Sequence, residues 1–306
     1  MERIWGGRRL ESELGKKLPA KKRIGESWEI VDREEAQSVV TSGPLKGKTL
    51  HELWNYHRKE IFGEKAVSSS SPRFPLLIKL LDAEEKLSLQ VHPPADVAAR
   101  LGGEPKTEFW YVARAEPGAE LYVGLRGKMS VEEFRRALDA GTAADHLHVL
   151  KVKAGDGMFL PSGRFHAIGG GNLLVEVQQN SDTTYRVFDW NRLDDSGKPR
   201  QLHVEQALES IDFSDVQPGL VNPDGEVLVR HELFEVQRWE LTAAREISSG
   251  GEFAIICCLT GSINCARVTN GPGEFMLIPA FLEDRLVEPL TSGTSILRIT
   301  IPAKVR

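Results

Sequence analysis

The chain has 306 residues, room for two domains of ordinary size, and its 41% hydrophobic and 27% charged residues are the balance of a soluble globular protein. A formal net charge of −5 leaves no excess of cation to neutralise a nucleic-acid backbone, which argues against that partner and not against a small anionic ligand. The first ten residues carry no apolar core, so no signal peptide is expected there, and no apolar run approaches the roughly 18 residues of a membrane span.

In chain order, Thr49 and Glu52 form a capping box ahead of Leu50, Leu53, Trp54 and Ile61, which predicts a helix. Residues 66–73 are serine-rich and read as a loop. Period-2 patterns follow at residues 87–92 and 108–113. A second capping box, Ser130 with Glu133, precedes Phe134, Ala137 and Leu138, and Gly141 is a natural stop. Strand patterns return at 149–153 and 173–179, and a short helix is expected over 203–210. The stretch from 212 to 225 holds Pro218, Gly219, Asn222, Pro223 and Gly225 and has little periodicity, so it reads as a domain boundary. Beyond it come strands at 253–259 and 295–301. Cys257, Cys258 and Cys265 are the cysteines; their odd number and late clustering read as reduced thiols of a cytoplasmic protein, with no nearby histidine to make a metal site. The expectation is a mainly β chain, sandwich or barrel, with domains at 1–215 and 216–306.

A weak repeat supports two similar halves. Residues 155–166 read GDGMFLPSGRFH and residues 273–284 read GEFMLIPAFLED, each a glycine, an acid, an apolar run and a proline. The pattern resembles a strand motif of cupins, and two copies suggest two barrels. The first copy ends on His166 and the second on Asp284, and His231 is the only histidine after residue 203. Any metal therefore belongs to the first half.

Gln90 and His92 lie two apart in a strand pattern, so they share a face with Ser88, while Leu87, Leu89 and Val91 take the other. Such a polar face is costly inside a barrel unless something satisfies it, and a divalent metal does so. Glu108 opens the next strand, and His166 closes the glycine-proline turn. An amide oxygen, two imidazoles and a carboxylate suit zinc, with iron, manganese or cobalt as substitutes. Singly, each has a plainer reading: His92 as a strand-end histidine before Pro93 and Pro94, Glu108 as a solvated carboxylate, His166 as a turn histidine. Only the joint pattern raises a metal site. Further on, Glu176 points away from the apolar face of Leu173, Val175 and Val177 and needs a partner or a proton. Arg186 offers a planar fork for an oxyanion or phosphate, or else a structural pair with Glu176 across neighbouring strands.

Four blocks carry a more specific resemblance: Arg3-Ile4-Trp5-Gly6-Gly7; Gly25-Glu26-Ser27-Trp28-Glu29; PLLIKLLDAEEKLSLQVHP over 75–93; and HAIGGGNLLVEVQQNSDTTYRVFDWNR within 161–192. Together they resemble the short, bacterial form of type I mannose-6-phosphate isomerase, a cupin family. The resemblance implies a double cupin with one zinc-type site at Gln90, His92, Glu108 and His166. It implies an active-site arginine at Arg186, with Lys79, Glu176 and Asp182 beside it and Trp5 and Glu26 as substrate-binding positions. It also implies an aldose–ketose isomerase that interconverts mannose 6-phosphate and fructose 6-phosphate through a cis-enediol. That chemistry needs a base, an acid for the carbonyl oxygen and charge stabilisation. Arg186 and Lys79 are the cations on offer. Glu176, Asp182 and Glu26 are carboxylates for proton transfer, and a metal-bound water or a histidine serves the same chemistry. Two rivals stand beside it: another metal-dependent cupin enzyme on a different sugar, and a non-catalytic sugar-phosphate sensor, which would be expected to have lost ligands or Arg186.

Overall fold

The computed structural model describes residues 1–67, 69–193 and 197–302. Ser68 of the expected serine-rich loop and residues 303–306 of the expected second domain lie outside them. The chain forms two compact units. The first takes Met1–Arg9, Leu18–Ser27 and Lys79–Val221; the second takes Leu10–Lys17, Trp28–Ile78 and the chain from Asn222 onward.

The strands up to residue 188 are β1 (Glu2–Gly7), β2 (Glu26–Ile30), β3 (Leu76–Ala83), β4 (Leu89–Val91), β5 (Glu108–Ala115), β6 (Glu120–Leu125), β7 (Leu147–Lys151), β8 (Gly157–Leu160), β9 (His166–Ile168), β10 (Asn172–Gln179) and β11 (Tyr185–Phe188). One sheet runs β1-β3-β10-β5-β8 with β2 beside β3, and the other runs β11-β4-β9-β6-β7. Alternation decides which side chains the two sheets of the first unit share. Trp110 and Val112 of β5, Leu174 of β10 and Leu160 of β8 meet Leu121 and Val123 of β6 in one buried cluster. Leu89 and Val91 turn away from it into a second cluster with Phe165 and Val187, leaving Gln90 on the opposite face of β4.

The later strands are β12 (Val227–Arg230), β13 (Glu235–Leu241), β14 (Arg245–Glu246), β15 (Ala254–Thr260), β16 (Ile263–Cys265), β17 (Val268–Asn270), β18 (Phe275–Ile278), β19 (Leu286–Pro289) and β20 (Thr294–Thr300). Their sheets run β12-β13-β20-β15-β18 and β14-β19-β16-β17. The first order matches β1-β3-β10-β5-β8 strand for strand, and the two copies of the glycine-proline motif supply β8 and β18 at the same edge. The mainly β, cupin-type reading therefore holds. Cys258 and Cys265 pack with Trp239, Ile256 and Ile296. All three cysteines are free and buried. Burial pushes the Cys258 and Cys265 thiols up to about 11, so they remain protonated and pack as small hydrophobes.

The second unit recruits more of the early chain than a break at 215–216 implies. The reason is aromatic packing. Phe62, on the helix Arg58–Phe62, and Phe74 meet Phe253, with rings 5.4 Å and 6.0 Å from it, and Trp54 of the helix Leu50–Tyr56 packs edge-on against Phe62 and Phe74. Both expected capping boxes form, at Thr49 with Glu52 and at Ser130 with Glu133. The helix expected near 203–210 spans Val204–Ser210. A helix the pattern reading did not anticipate, Ala95–Leu101, starts directly after Pro93 and Pro94, with Pro94 at its N-cap.

Candidate metal centre

Gln90 and His92 share a face because β4 is extended, and the sheet brings their partners to them. Gln90 lies opposite His166 of β9, and Glu108 begins β5. His92, Glu108 and His166 are the one group of three such side chains among the described residues whose ligand atoms all lie within 4.8 Å of one another, and all three are buried. His92 Nε2 is 3.5 Å from Glu108 Oε2, and His166 Nε2 is 3.5 Å from Glu108 Oε1.

The second ring nitrogens set the tautomers. His92 Nδ1 donates to the Thr183 carbonyl at 2.8 Å, and His166 Nδ1 donates to the Arg164 carbonyl at 2.8 Å. A carbonyl only accepts, so the proton sits on Nδ1 and both Nε2 lone pairs face Glu108. Burial depresses both imidazoles, taking His166 to about 3, so both are neutral. For Glu108, burial alone would raise the carboxyl; the Lys106 ammonium outweighs it and holds it well below the usual carboxylate range. Both Glu108 oxygens are fully buried, and no donor reaches either in hydrogen-bond geometry. A buried anion with open lone pairs beside two imidazole lone pairs is a donor set that fits a divalent cation. Gln90 completes the rim, its Nε2 3.4 Å from His166 Nε2. A half-turn of that amide presents the oxygen instead.

Lys106 escaped the sequence reading. Its ammonium is buried, 3.0 Å from Glu108 Oε2 and 3.2 Å from His92 Nε2. The available signal was its place two residues before Glu108, on the same side of an extended chain. Burial would lower this ammonium, but attraction to Glu108 and Glu176 prevails and raises it, so Lys106 is charged.

A second polar group adjoins the first through Trp110. The indole edge meets the His166 ring at 5.2 Å, and Nε1 donates to Glu176 Oε2 at 2.9 Å. Lys79 Nζ stands 3.4 Å from Glu176, 3.9 Å from Asp182 and 4.0 Å from Glu26. Glu26 in turn takes Arg3 Nε at 2.7 Å, a contact that the sequence reading did not name. Lys79, Glu176, Asp182 and Glu26 are thus one ionic group. Trp5 is placed differently, packed in the core with Trp110 and against Gly25, where a Cβ would lie 2.5 Å from its ring. Arg186 donates from Nε to Ser88 Oγ at 3.2 Å and from a terminal nitrogen to the Gln201 carbonyl at 2.9 Å. It makes no ion pair with Glu176, whose cation is Lys79.

Residues 1–111 match the family described as phosphomannose isomerase type I, catalytic domain. The chain is 39% identical over 297 residues to the mannose-6-phosphate isomerase of Streptococcus mutans serotype c, covering 95% of this chain and 90% of that protein. The chain belongs to the type I mannose-6-phosphate isomerase family. It is also 36% identical over 303 residues to a probable mannose-6-phosphate isomerase of Bacillus subtilis, covering 94% of this chain and 93% of the relative. The crystal structure of the mannose 6-phosphate isomerase from Bacillus subtilis superposes with a TM-score of 0.87 at 33% identity, covering 98% of this chain and 97% of that one. Membership of the isomerase family and a buried His/Glu/His group together support a divalent metal at this centre.

Proposed function

We propose that this chain interconverts mannose 6-phosphate and fructose 6-phosphate through a cis-enediol, with zinc held by His92, Glu108, His166 and Gln90. The observation that carries the reading is Glu108: both its oxygens are buried without a hydrogen-bond partner, each 3.5 Å from an imidazole Nε2, with the Lys106 ammonium 3.0 Å from Oε2. An ion held by His92, Glu108, His166 and Gln90 would supply Lewis-acid polarisation of the substrate carbonyl. The protein supplies the rest. A proton leaves C2 of the aldose and O1 takes one up to give the enediol; the O2 hydroxyl then gives up its proton and C1 takes one up to give the ketose. Glu176 is the carboxylate assigned to proton transfer, held in place by the Trp110 N–H and Lys79. Lys79 also gathers Asp182 and Glu26. Arg186 has no carboxylate partner among the described residues and serves the enediolate or the phosphate. Lys106 orients Glu108 and His92 and is a second cation at the reacting oxygens.

The same proposal places the protein in the cytoplasm, with its metal confined to the first unit. The test is formation of fructose 6-phosphate from mannose 6-phosphate by purified protein, before and after chelation. Turnover that chelator abolishes and zinc restores is expected. No product, or turnover untouched by a chelator that strips the protein of metal, sinks the reading.

A further inference from the structure

The face of β10 that carries Glu176 also carries, across from the metal centre, a polar side chain that the proposed chemistry leaves unused. Gln178 lies directly across from Glu108 in the β5–β10 register, so the two side chains stand on one face of the sheet. Glu176, two residues earlier, shares that face and lies across from Trp110. Gln178 is completely buried. Its Nε2 donates to the Gln179 carbonyl at 2.7 Å and to the Ser181 carbonyl at 2.6 Å. Two carbonyls can only accept, so the amide cannot be turned over and Oε1 must face the other way. That oxygen is buried and has no hydrogen-bond partner among the described residues. The contrast along the strand is informative: Glu176 is met by Trp110 and Lys79, whereas Gln178 presents an oriented acceptor that nothing in the fold answers. The nearest cation beside Glu108 is already engaged, since Lys106 contacts Glu108 and His92. What this acceptor lacks is an O–H or N–H donor.

We propose that Gln178 Oε1 accepts a hydrogen bond from a hydroxyl of the bound sugar, which makes Gln178 a substrate-recognition residue of this centre. The inference rests on the functional reading above. A hydroxyl in the cavity has two sources, the sugar and a water held by the metal, and the proposal commits to the sugar. The amide is well suited to the task. Its two donor bonds hold Oε1 in place before ligand arrives, and its neutrality adds no charge beside Glu108 and Glu176.

The probe is mannitol 6-phosphate, which carries hydroxyls and the phosphate and has no carbonyl to react. Its affinity for zinc-loaded protein is measured by calorimetry, zinc affinity by chelator competition, and kcat and KM with mannose 6-phosphate. Gln178→Met keeps the length of the side chain and removes the acceptor together with the two donor bonds to the Gln179 and Ser181 carbonyls, whose loss the thermal midpoint reads separately. The expected result is about tenfold weaker mannitol 6-phosphate binding, a KM raised by a similar factor and unchanged zinc affinity. Gln178→Asn, which keeps an amide but withdraws the oxygen by one methylene, is expected to act in the same direction and is read in its place if the methionine variant misfolds. A fall in zinc affinity with mannitol 6-phosphate affinity unchanged assigns the donor to metal-held water and overturns the proposal. A lowered thermal midpoint with both affinities unchanged makes Gln178 a strut for the Ser181 turn and also overturns it. Wild-type protein that fails to bind mannitol 6-phosphate removes the functional reading, and this proposal with it. Wild type that binds, beside variants that bind equally well, overturns this proposal alone.

Discussion

Gln90 of β4 lies directly opposite Arg186 of β11, and on its other side opposite His166 of β9. Cross-strand partners share a face, so the guanidinium stem rises on the side that carries the candidate ligands. Burial is the main cause that lowers the Arg186 guanidinium, followed by repulsion from Arg200. Such a cation gains from any anion that enters.

Arg186→Ala should therefore lower kcat by about a hundredfold or more while metal content stays near that of wild type, the scale seen when an oxyanion stabiliser is lost. Arg186→Lys should rescue only in part, because an ammonium cannot present a planar fork. Steady-state kinetics with metal analysis decides. A raised KM at unchanged kcat would show that Arg186 binds the ground state and transition state alike.

The double variant His92→Ala with His166→Ala should retain no tightly bound metal. The second unit repeats the strand order, yet its motif ends on Asp284 where the first ends on His166. Elemental analysis after dialysis checks this. One retained equivalent would place a metal elsewhere in the chain.

Trp110→Phe keeps a ring beside His166 and removes the only N–H the indole offers to Glu176. A hydrogen bond to a charged acceptor is worth about 1.5–3 kcal/mol. If Glu176 moves the proton, kcat should fall about tenfold or more with zinc affinity unchanged. Equal kcat in the variant would show that the indole does not position Glu176 for the rate-determining step.

Asp189 provides a pH-dependent test of stability. Burial would raise its carboxyl, but hydrogen bonds from Arg200 and then Arg192, at 2.6–2.7 Å, outweigh that and lower it. A carboxyl depressed in the folded state stabilises the fold above its unfolded value of about 3.9, and the gain is lost as pH falls through the lower folded value. Asp189→Asn should cost about 1–2 kcal/mol at pH 7. The gap in thermal midpoint between the metal-free proteins should close as pH falls below about 4. A gap that stays constant down to pH 2 would rule out the ionic origin.

The four candidate ligands were legible in the sequence because their signals are local. A period-2 strand places Gln90 and His92 on one face, a strand start exposes Glu108 to the same interior, and a glycine-proline turn ends on His166. Capping boxes announce helices for the same reason: all their partners lie within one turn of the chain. What sequence could not decide were contacts between strands distant along it. Local spacing left open a Glu176–Arg186 pair; the sheet instead delivers Lys79 to Glu176 and leaves Arg186 beside Ser88 and Gln90. Gln178 reads as one more polar residue near a strand end until the β5–β10 register sets it across from Glu108. The shift of residues 28–78 into the second unit follows from Phe62 and Phe74 finding Phe253. Local patterns dictate which face a side chain takes, whereas partner choice depends on register and packing across the sheets, where burial makes each unanswered polar atom costly enough to select one arrangement.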